Sequence, residues 1–257
     1  MLPDLELQRS YLVARLAPKR GESILDLGCG SGEDLEYILR LRRGVRVVGM
    51  DLTERMLRGA RRRLSRYIKR GSVELVVGDA SKPLPFPSRS FDAVLSAELM
   101  ECLPPVKRAR LLREIRRVLK PSGRILIEHT DWDTQVWNAT DRRLERKLVH
   151  SFCDWTQGWM EVSDGWMGRK LLGLFRKSKL FKSIEVNTYV LTNDRYKPGT
   201  YGYARARSRN TRSGKEGRSG RGGSSLPEEP QSPGRGWDVL LQHHAVPGSR
   251  EGCIGES

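Results

Sequence analysis

The sequence contains no run of about 18 uncharged apolar residues, so no helix is expected to cross a membrane. Its opening residues, MLPDLE, offer neither a basic segment nor an apolar one, and no secretion signal is expected. Cysteine is scarce. The four in 257 residues, Cys29, Cys102, Cys153 and Cys253, lie far apart and form no CxxC pair. That spacing argues against a zinc knuckle, a metal centre or a disulfide framework and for a reducing, cytoplasmic setting. Aromatics make up 7% of the chain and do not interleave with its basic residues, so no base-stacking surface is marked. Negative charge is also in deficit. The net charge of +16 raises the case for a polyanionic partner, and the placement of the charges decides its weight.

Beyond these absences, the chain divides near residue 200. Residues 1–200 read as one globular domain in which short apolar runs alternate with amphipathic stretches. Residues 201–257 read as a tail. Ala204 to Gly236 is rich in Gly, Ser, Arg and Pro and has almost nothing to bury, so disorder is expected there. The short island WDVLLQHHAV, Trp237 to Val246, follows it.

Within the globular part, strands are expected at Ser23–Leu27, Val45–Met50, Val73–Val77, Phe91–Ser96 and Arg124–Glu128. Helices are expected at Glu33–Arg42, Thr53–Arg70 and Pro105–Lys120. Repeated strand–helix units of this kind predict an α/β fold with a doubly wound, mostly parallel sheet. The arginines concentrate on two of the helices, at Arg61, Arg62, Arg63, Arg66 and Arg70 and at Arg108, Arg110, Arg113, Arg116 and Arg117. On such a fold these read first as solvated outer faces, and a nucleic acid is the less favoured partner.

The strongest signal is ILDLGCGSG, residues 24 to 32. A strand runs into Gly28, Gly30 and Gly32, and a helix follows. Such a turn lets the backbone approach a ligand, and the free amides at the helix start face an anionic group. The spacing is G-x-G-x-G, with the third glycine one residue earlier than in the dinucleotide-binding turn. Asp26 stands two residues before the first glycine, where a carboxylate suits an ammonium group. Asp51 closes the second strand and could accept from two ribose hydroxyls, and Asp79 closes the third and could accept from a purine amine. Each feature alone also fits an ordinary turn or helix cap. As an ordered set they describe a ligand with an amino-acid end, a ribose and an adenine, which is S-adenosylmethionine.

On these residues the sequence resembles the class I S-adenosylmethionine-dependent methyltransferases, and within them the methyltransferase type 11 branch that includes ubiquinone and menaquinone biosynthesis. The likeness rests on ILDLGCGSG (24–32), VVGMDLTERML (47–57), ELVVGDASKPLPFPSRSFDAVLSAELMECL (74–103) and RVLKPSGRILIEH (117–129). It implies a Rossmann-like sheet of seven strands with the last antiparallel. It also implies cofactor contacts at Asp26, Gly28, Gly30, Asp51, Leu52, Asp79, Ala80 and Ser96, with Gly32 completing the turn. Ser183–Thr192 reads as the sixth strand. The usual helix and final strand do not follow it, so a normal last strand is expected to be missing, or else supplied by Trp237–Val246 across a linker of roughly 35 residues, long for a compact domain.

Methyl transfer from a sulfonium needs placement more than covalent help, and no catalytic triad is visible. The fifth strand delivers EHTDWDTQVWN, residues 128 to 138. His129 and Asp131 are the candidate bases there, and Trp132 and Trp137 the candidate walls of an acceptor pocket. Ser96-Ala-Glu-Leu after the fourth strand differs from the N-P-P-Y type tetrapeptide used on nucleic-acid bases. The expected function is methylation of a small molecule. The alternatives are a basic RNA methyltransferase and a catalytically silent module that binds the cofactor or a partner.

Overall fold

Leu25, Asp26 and Leu27 are buried in the middle of the molecule, within a strand whose residues after Ser23 are all buried (β1, Ser23–Leu27). Such a run marks a central strand of a parallel sheet, covered on both faces. In the computed structural model, which describes residues 3–137, 140–193 and 239–241, β1 pairs in parallel with β2 (Arg46–Asp51) and β4 (Phe91–Ala97). β3 (Val73–Val77) extends the sheet beyond β2, and β5 (Leu119–Glu128) extends it beyond β4. The order is β3-β2-β1-β4-β5. The chain winds outward from β1 to β3 and returns on the other side of β1 as β4. The crevice outside the carboxyl ends of β1 and β4 is therefore the switch point, the position where doubly wound sheets bind ligands.

Alternating side chains sort into two cores, as the period of two requires. Ile24, Val47 and Ala93 face one side with Leu35 and Ile38 of α2 (Glu33–Leu41) and Leu57 and Ala60 of α3 (Glu54–Arg63). α1 (Pro3–Leu16) adds Val13 and Leu16 to this side. Leu25, Val48 and Val94 face the other side with Leu111, Leu112 and Ile115 of α5 (Pro105–Val118) and with Met167 of α7 (Met167–Ser178). α6 (Arg142–Cys153) starts at Asp141, whose carboxylate accepts from the amides of Arg143 and Leu144.

Several sequence expectations are corrected. α1 is a helix that the sequence reading passed over. The basic helix expected over Thr53–Arg70 breaks at Leu64, which is fully buried, and continues only as the short α4 (Ser65–Ile68). The helix expected to end at Lys120 ends at Val118, and the strand expected from Arg124 starts at Leu119: Leu119 pairs with Phe91 and Arg124 with Ala93, and the residues between leave the ladder. The sixth strand expected at Ser183–Thr192 shrinks to β7 (Leu191–Asn193). β8 (Val239–Leu241), from the apolar island, pairs antiparallel with β7 and with β6 (Gln135–Trp137) in a separate three-stranded sheet. Among the described residues the main sheet thus has five parallel strands, and β5 is its edge. The expected disorder of 204–236 lies outside the described residues.

The arginine-rich helices are also less free than their sequence suggests. Arg63 donates to the carbonyl of Ser31 at 3.0 Å and pairs with Glu33 and Glu36. Arg108 is buried against the carbonyl of Met100 and Asp164. Arg117 binds Glu114 and the carbonyls of Leu84 and Phe86. These three hold helices to loops and offer no open basic face.

Candidate active site at the carboxyl ends of the strands

The glycine turn leaves β1 with Gly28, Gly30 and Gly32 all at positive φ, 81°, 53° and 78°. The amides of Gly28 and Cys29 both donate to the carbonyl of Met50, which ties the turn to β2. At Gly32 a Cβ would stand 2.9 Å from Leu64 Cδ1 and 3.2 Å from Ala60 Cβ, so this glycine lets α2 and α3 close on each other. At Gly30 a Cβ would meet nothing within 4 Å. Its opening is toward free space, where a ligand can approach the backbone.

Four carboxylates surround this turn differently. Asp26 is 2% exposed, and its Oδ2 has no hydrogen-bond partner among the described residues. Burial, and then the charges of Asp34 and Asp51, push its pKa well above the usual carboxylate range. Asp34 is held by Arg9 at 2.9 Å, and its pKa too is raised, chiefly by burial. Asp51 is the pivot of the turn. Its Oδ2 accepts from the Gly30 amide at 3.0 Å, and its Oδ1 accepts from the amide and the hydroxyl of Thr53, both at 2.9 Å. Asp79 accepts from the Ser81 amide at 2.8 Å. Burial opposes its ionisation, but the Ser81 hydrogen bonds and nearby Lys82 hold its pKa below the usual value. Leu52 is 54% exposed beside Asp51, and Ala80 is buried beside Asp79. The outlier is Ser96. It is fully buried and its hydroxyl donates to the Leu27 carbonyl at 3.0 Å, so its side chain joins β4 to β1.

The ends of β4 and β5 carry a second cluster, most of which the sequence reading missed. Glu98 stands at positive φ, 53°, directly after β4, a backbone conformation that costs a non-glycine residue free energy. Its amide donates to the Glu128 carbonyl at 3.1 Å, and its Oε1 accepts from the Thr130 amide at 2.8 Å. Leu99, the next residue, packs 3.5 Å from where a Cβ on Gly28 would be, so the two clusters are neighbours. Glu101 accepts from Trp132 Nε1 at 2.6 Å. Glu98 and Glu128 were legible by the signal that picked out Asp51 and Asp79: an acidic residue at or just past the end of a strand.

The candidate bases are engaged elsewhere. His129 has a side chain with no exposure, and its Nε2 accepts from the Met100 amide at 2.9 Å. Its proton therefore sits on Nδ1, 3.3 Å from Glu98 Oε2 and 3.9 Å from Glu101 Oε2. Burial disfavours a charge on this ring, while Glu98, Glu101 and Glu128 outweigh burial and raise its pKa. A second proton on Nε2 would nevertheless face the Met100 N–H, donor against donor. Asp131 is gripped by Arg169 through two contacts of 2.5 and 2.6 Å. Neither group is open to an acceptor. Trp132 is buried against Phe152, ring centroids 5.0 Å apart, and belongs to the packing. Trp137 is half-buried, with its indole N–H on Gln135.

Glu98, Glu101 and His129 bring three potential metal-ligand atoms within 4.8 Å of one another. The tautomer decides against a metal. A ligating histidine donates its second ring N–H to an acceptor. Here the second nitrogen is itself the acceptor, so the atom facing the carboxylates carries the proton and has no lone pair to give.

Comparison with known proteins agrees with this geometry. Residues 24–123 match the family described as "Methyltransferase domain". A fatty-acid O-methyltransferase of Mycolicibacterium smegmatis is 35% identical over 151 residues, 56% of this chain and 53% of that protein. A demethylmenaquinone methyltransferase of Tropheryma whipplei is 39% identical over 108 residues, 42% of this chain and 41% of that protein. The chain thus spans about half the length of these curated relatives. A putative methyltransferase from Bacillus halodurans shares the fold with a TM-score of 0.54 and 22% identity, over 73% of this chain and 74% of that one. The glycine turn and the acidic strand ends lie within residues 24–123, the part of the chain that is similar to a methyltransferase domain.

Proposed function

We propose that this protein transfers a methyl group from S-adenosylmethionine to a small molecule. One observation carries the reading: Asp26, buried beside the glycine turn with an oxygen that lacks a partner among the described residues. A buried carboxylate left in this state is costly unless a ligand completes it, and an ammonium group does so. In this reading the amino-acid end lies against the backbone of the turn at Gly30, where no side chain intervenes, while the amides of Gly28, Gly30 and Gly32 keep their bonds to Met50, Asp51 and Cys29. Asp51, already oriented by Gly30 and Thr53, offers its remaining lone pairs to the ribose. Asp79 takes the adenine amine, with Leu52 and Ala80 against the ring. Ser96 drops out, because its hydroxyl is spent inside the sheet.

When bound, the cofactor supplies a methyl group on a sulfonium, which is already a good leaving group. The protein's part is then placement and exclusion of water. The absence of an open base at His129 or Asp131 fits an acceptor atom that is nucleophilic at neutral pH or meets Glu98 directly. The relatives' names support a small lipid or quinone acceptor. The RNA alternative loses Arg63, Arg108 and Arg117 to internal bonds and keeps Arg61, Arg62, Arg66, Arg70, Arg110 and Arg113, which are exposed.

Calorimetric titration with S-adenosylhomocysteine, beside a nicotinamide dinucleotide control, tests this. Micromolar binding of the first alone is expected, lost by at least tenfold in Asp51→Ala. A folded protein that binds neither would overturn the reading.

A further inference from the structure

β1, β2 and β3 are each entered through the same pattern, two cations and a glycine: Lys19-Arg20-Gly21, Arg42-Arg43-Gly44 and Lys69-Arg70-Gly71. In each, one further residue separates the glycine, which is at positive φ, from the strand. β4 is entered through Arg89, itself at positive φ, 58°. The sequence scatters these loops, and the strand order β3-β2-β1-β4 sets them side by side. Neighbouring strands lie about 4.8 Å apart, so the four entries form a row roughly 14 Å long.

The row is rigid. The Gly21 amide donates to the Gly44 carbonyl at 2.7 Å, and the Val47 amide to the Ser72 carbonyl at 2.9 Å. A Cβ on Gly44 would stand 2.8 Å from Arg20 Cγ, so Arg20 lies across the neighbouring loop. The Ser23 amide donates to Asp92 of β4 at 2.9 Å. The carboxylates at this end are matched to other cations: Glu22 to Arg124, Glu74 to Arg46 and Asp92 to Lys120. The side chains of the three cation pairs and of Arg89 are exposed and make no ion pair or hydrogen bond among the described residues. Like charges crowded in this way repel one another until an anion arrives.

We propose that this amino-end face of the sheet is a docking surface for the phosphate backbone of a duplex nucleic acid. Arginine dominates the row, and its planar fork suits phosphate oxygens. A duplex carries one charge per about 1.7 Å of its axis, so a preformed row of this length meets several phosphates at once. The loops hold no aromatic residue to stack on a base, so the contact is blind to sequence. A bilayer fits less well, because a membrane-binding face adds apolar anchors to its cations. Among the described residues of these loops only Leu41 is an exposed large hydrophobe. The five residues of β1, roughly 17 Å, separate Arg20 from the glycine turn. The nucleic acid is therefore a partner held away from the proposed cofactor site and not the methyl acceptor, and its docking is independent of the methyltransferase reading.

Fluorescence anisotropy with the full chain and a labelled DNA duplex of about 20 base pairs tests this between about 50 and 200 mM salt. Micromolar binding that weakens steeply with salt is expected. Arg20→Gln, Arg43→Gln and Arg70→Gln together should weaken it at least tenfold and flatten the log–log salt slope by about 2–3. Arg58→Gln, Arg110→Gln and Arg113→Gln remove the same charge from exposed helix positions and should stay within about threefold of wild type. Arg42→Gln, Lys69→Gln and Arg89→Gln form a second loop variant with the same expectation, which decides the matter if a thermal melt shows the first unfolded. Equal losses from the loop and helix variants, or no duplex binding by the wild type, overturn the proposal. Sedimentation with phosphatidylserine vesicles that the loop variants lose, without duplex binding, assigns the face to a bilayer and also overturns it. S-adenosylhomocysteine should bind every folded variant equally, and its failure to bind the wild type rejects the methyltransferase reading while leaving the docking face standing.

Discussion

The amide of Met100 donates to His129 Nε2 at 2.9 Å, and this bond engages one ring nitrogen of a residue that the sequence offers as a candidate base. The short 3₁₀ turn Met100–Cys102 is pinned to the end of β5 by it, and Glu98 and Glu101 are presented to the protonated face of the ring.

His129→Phe keeps the ring volume and removes the acceptor. The Met100 amide is then left buried without its partner, and a loss of about 1–3 kcal/mol is expected in denaturant unfolding. Wild-type stability in this variant would show that the bond contributes nothing.

The glycines of the turn separate stability from binding. Gly32→Ala puts a Cβ at positive φ and into Leu64 and Ala60, and should destabilise the fold by about 2–3 kcal/mol. Gly30→Ala meets open space, so it should cost only the backbone strain, about 1 kcal/mol, while S-adenosylhomocysteine affinity falls at least tenfold. Thermal melts and titrations on both variants check the contrast.

Glu128 gives stability a pH dependence with a definite sign. Its folded pKa, about 8, lies above the unfolded value of 4.5, so the folded state holds a proton that the unfolded chain has lost. Its contribution is complete below about pH 4.5 and is lost as pH rises through 8. Between these limits the slope approaches about 1.4 kcal/mol per pH unit. Glu128→Gln should flatten that interval in urea titrations at pH 5, 6, 7 and 8. A slope unchanged by the substitution would rule Glu128 out as its source.

Arg63 and Arg62 are adjacent, but only Arg63 reaches α2. Arg63→Ala should cost about 1–2 kcal/mol through its lost bonds to Ser31, Glu33 and Glu36. Arg62 is exposed, and Arg62→Ala should stay within about 0.5 kcal/mol of wild type. Equal effects in chemical unfolding would contradict the clamp.

The parallel sheet and the glycine turn were readable from sequence because both are local. Ile24 to Glu33 encodes strand, turn and helix start in ten consecutive residues, and Asp51 and Asp79 end runs of apolar residues whose strand character is plain. Backbone conformation and hydrophobic period depend on neighbours in the chain, so a linear reading captures them. Tertiary structure alone decided what each polar side chain is free to do. Ser96 and His129 looked like site residues by position, but the Ser96 hydroxyl is bonded to Leu27, 69 residues away, and one ring nitrogen of His129 to Met100, 29 residues away. Glu128 looked like the end of a strand, but Gln8, 120 residues earlier, and Tyr189, 61 residues later, converge on one of its oxygens and leave the other bare. Burial and hydrogen-bond completion are properties of contacts between distant segments, so they set the roles of these residues only once the sheet is assembled.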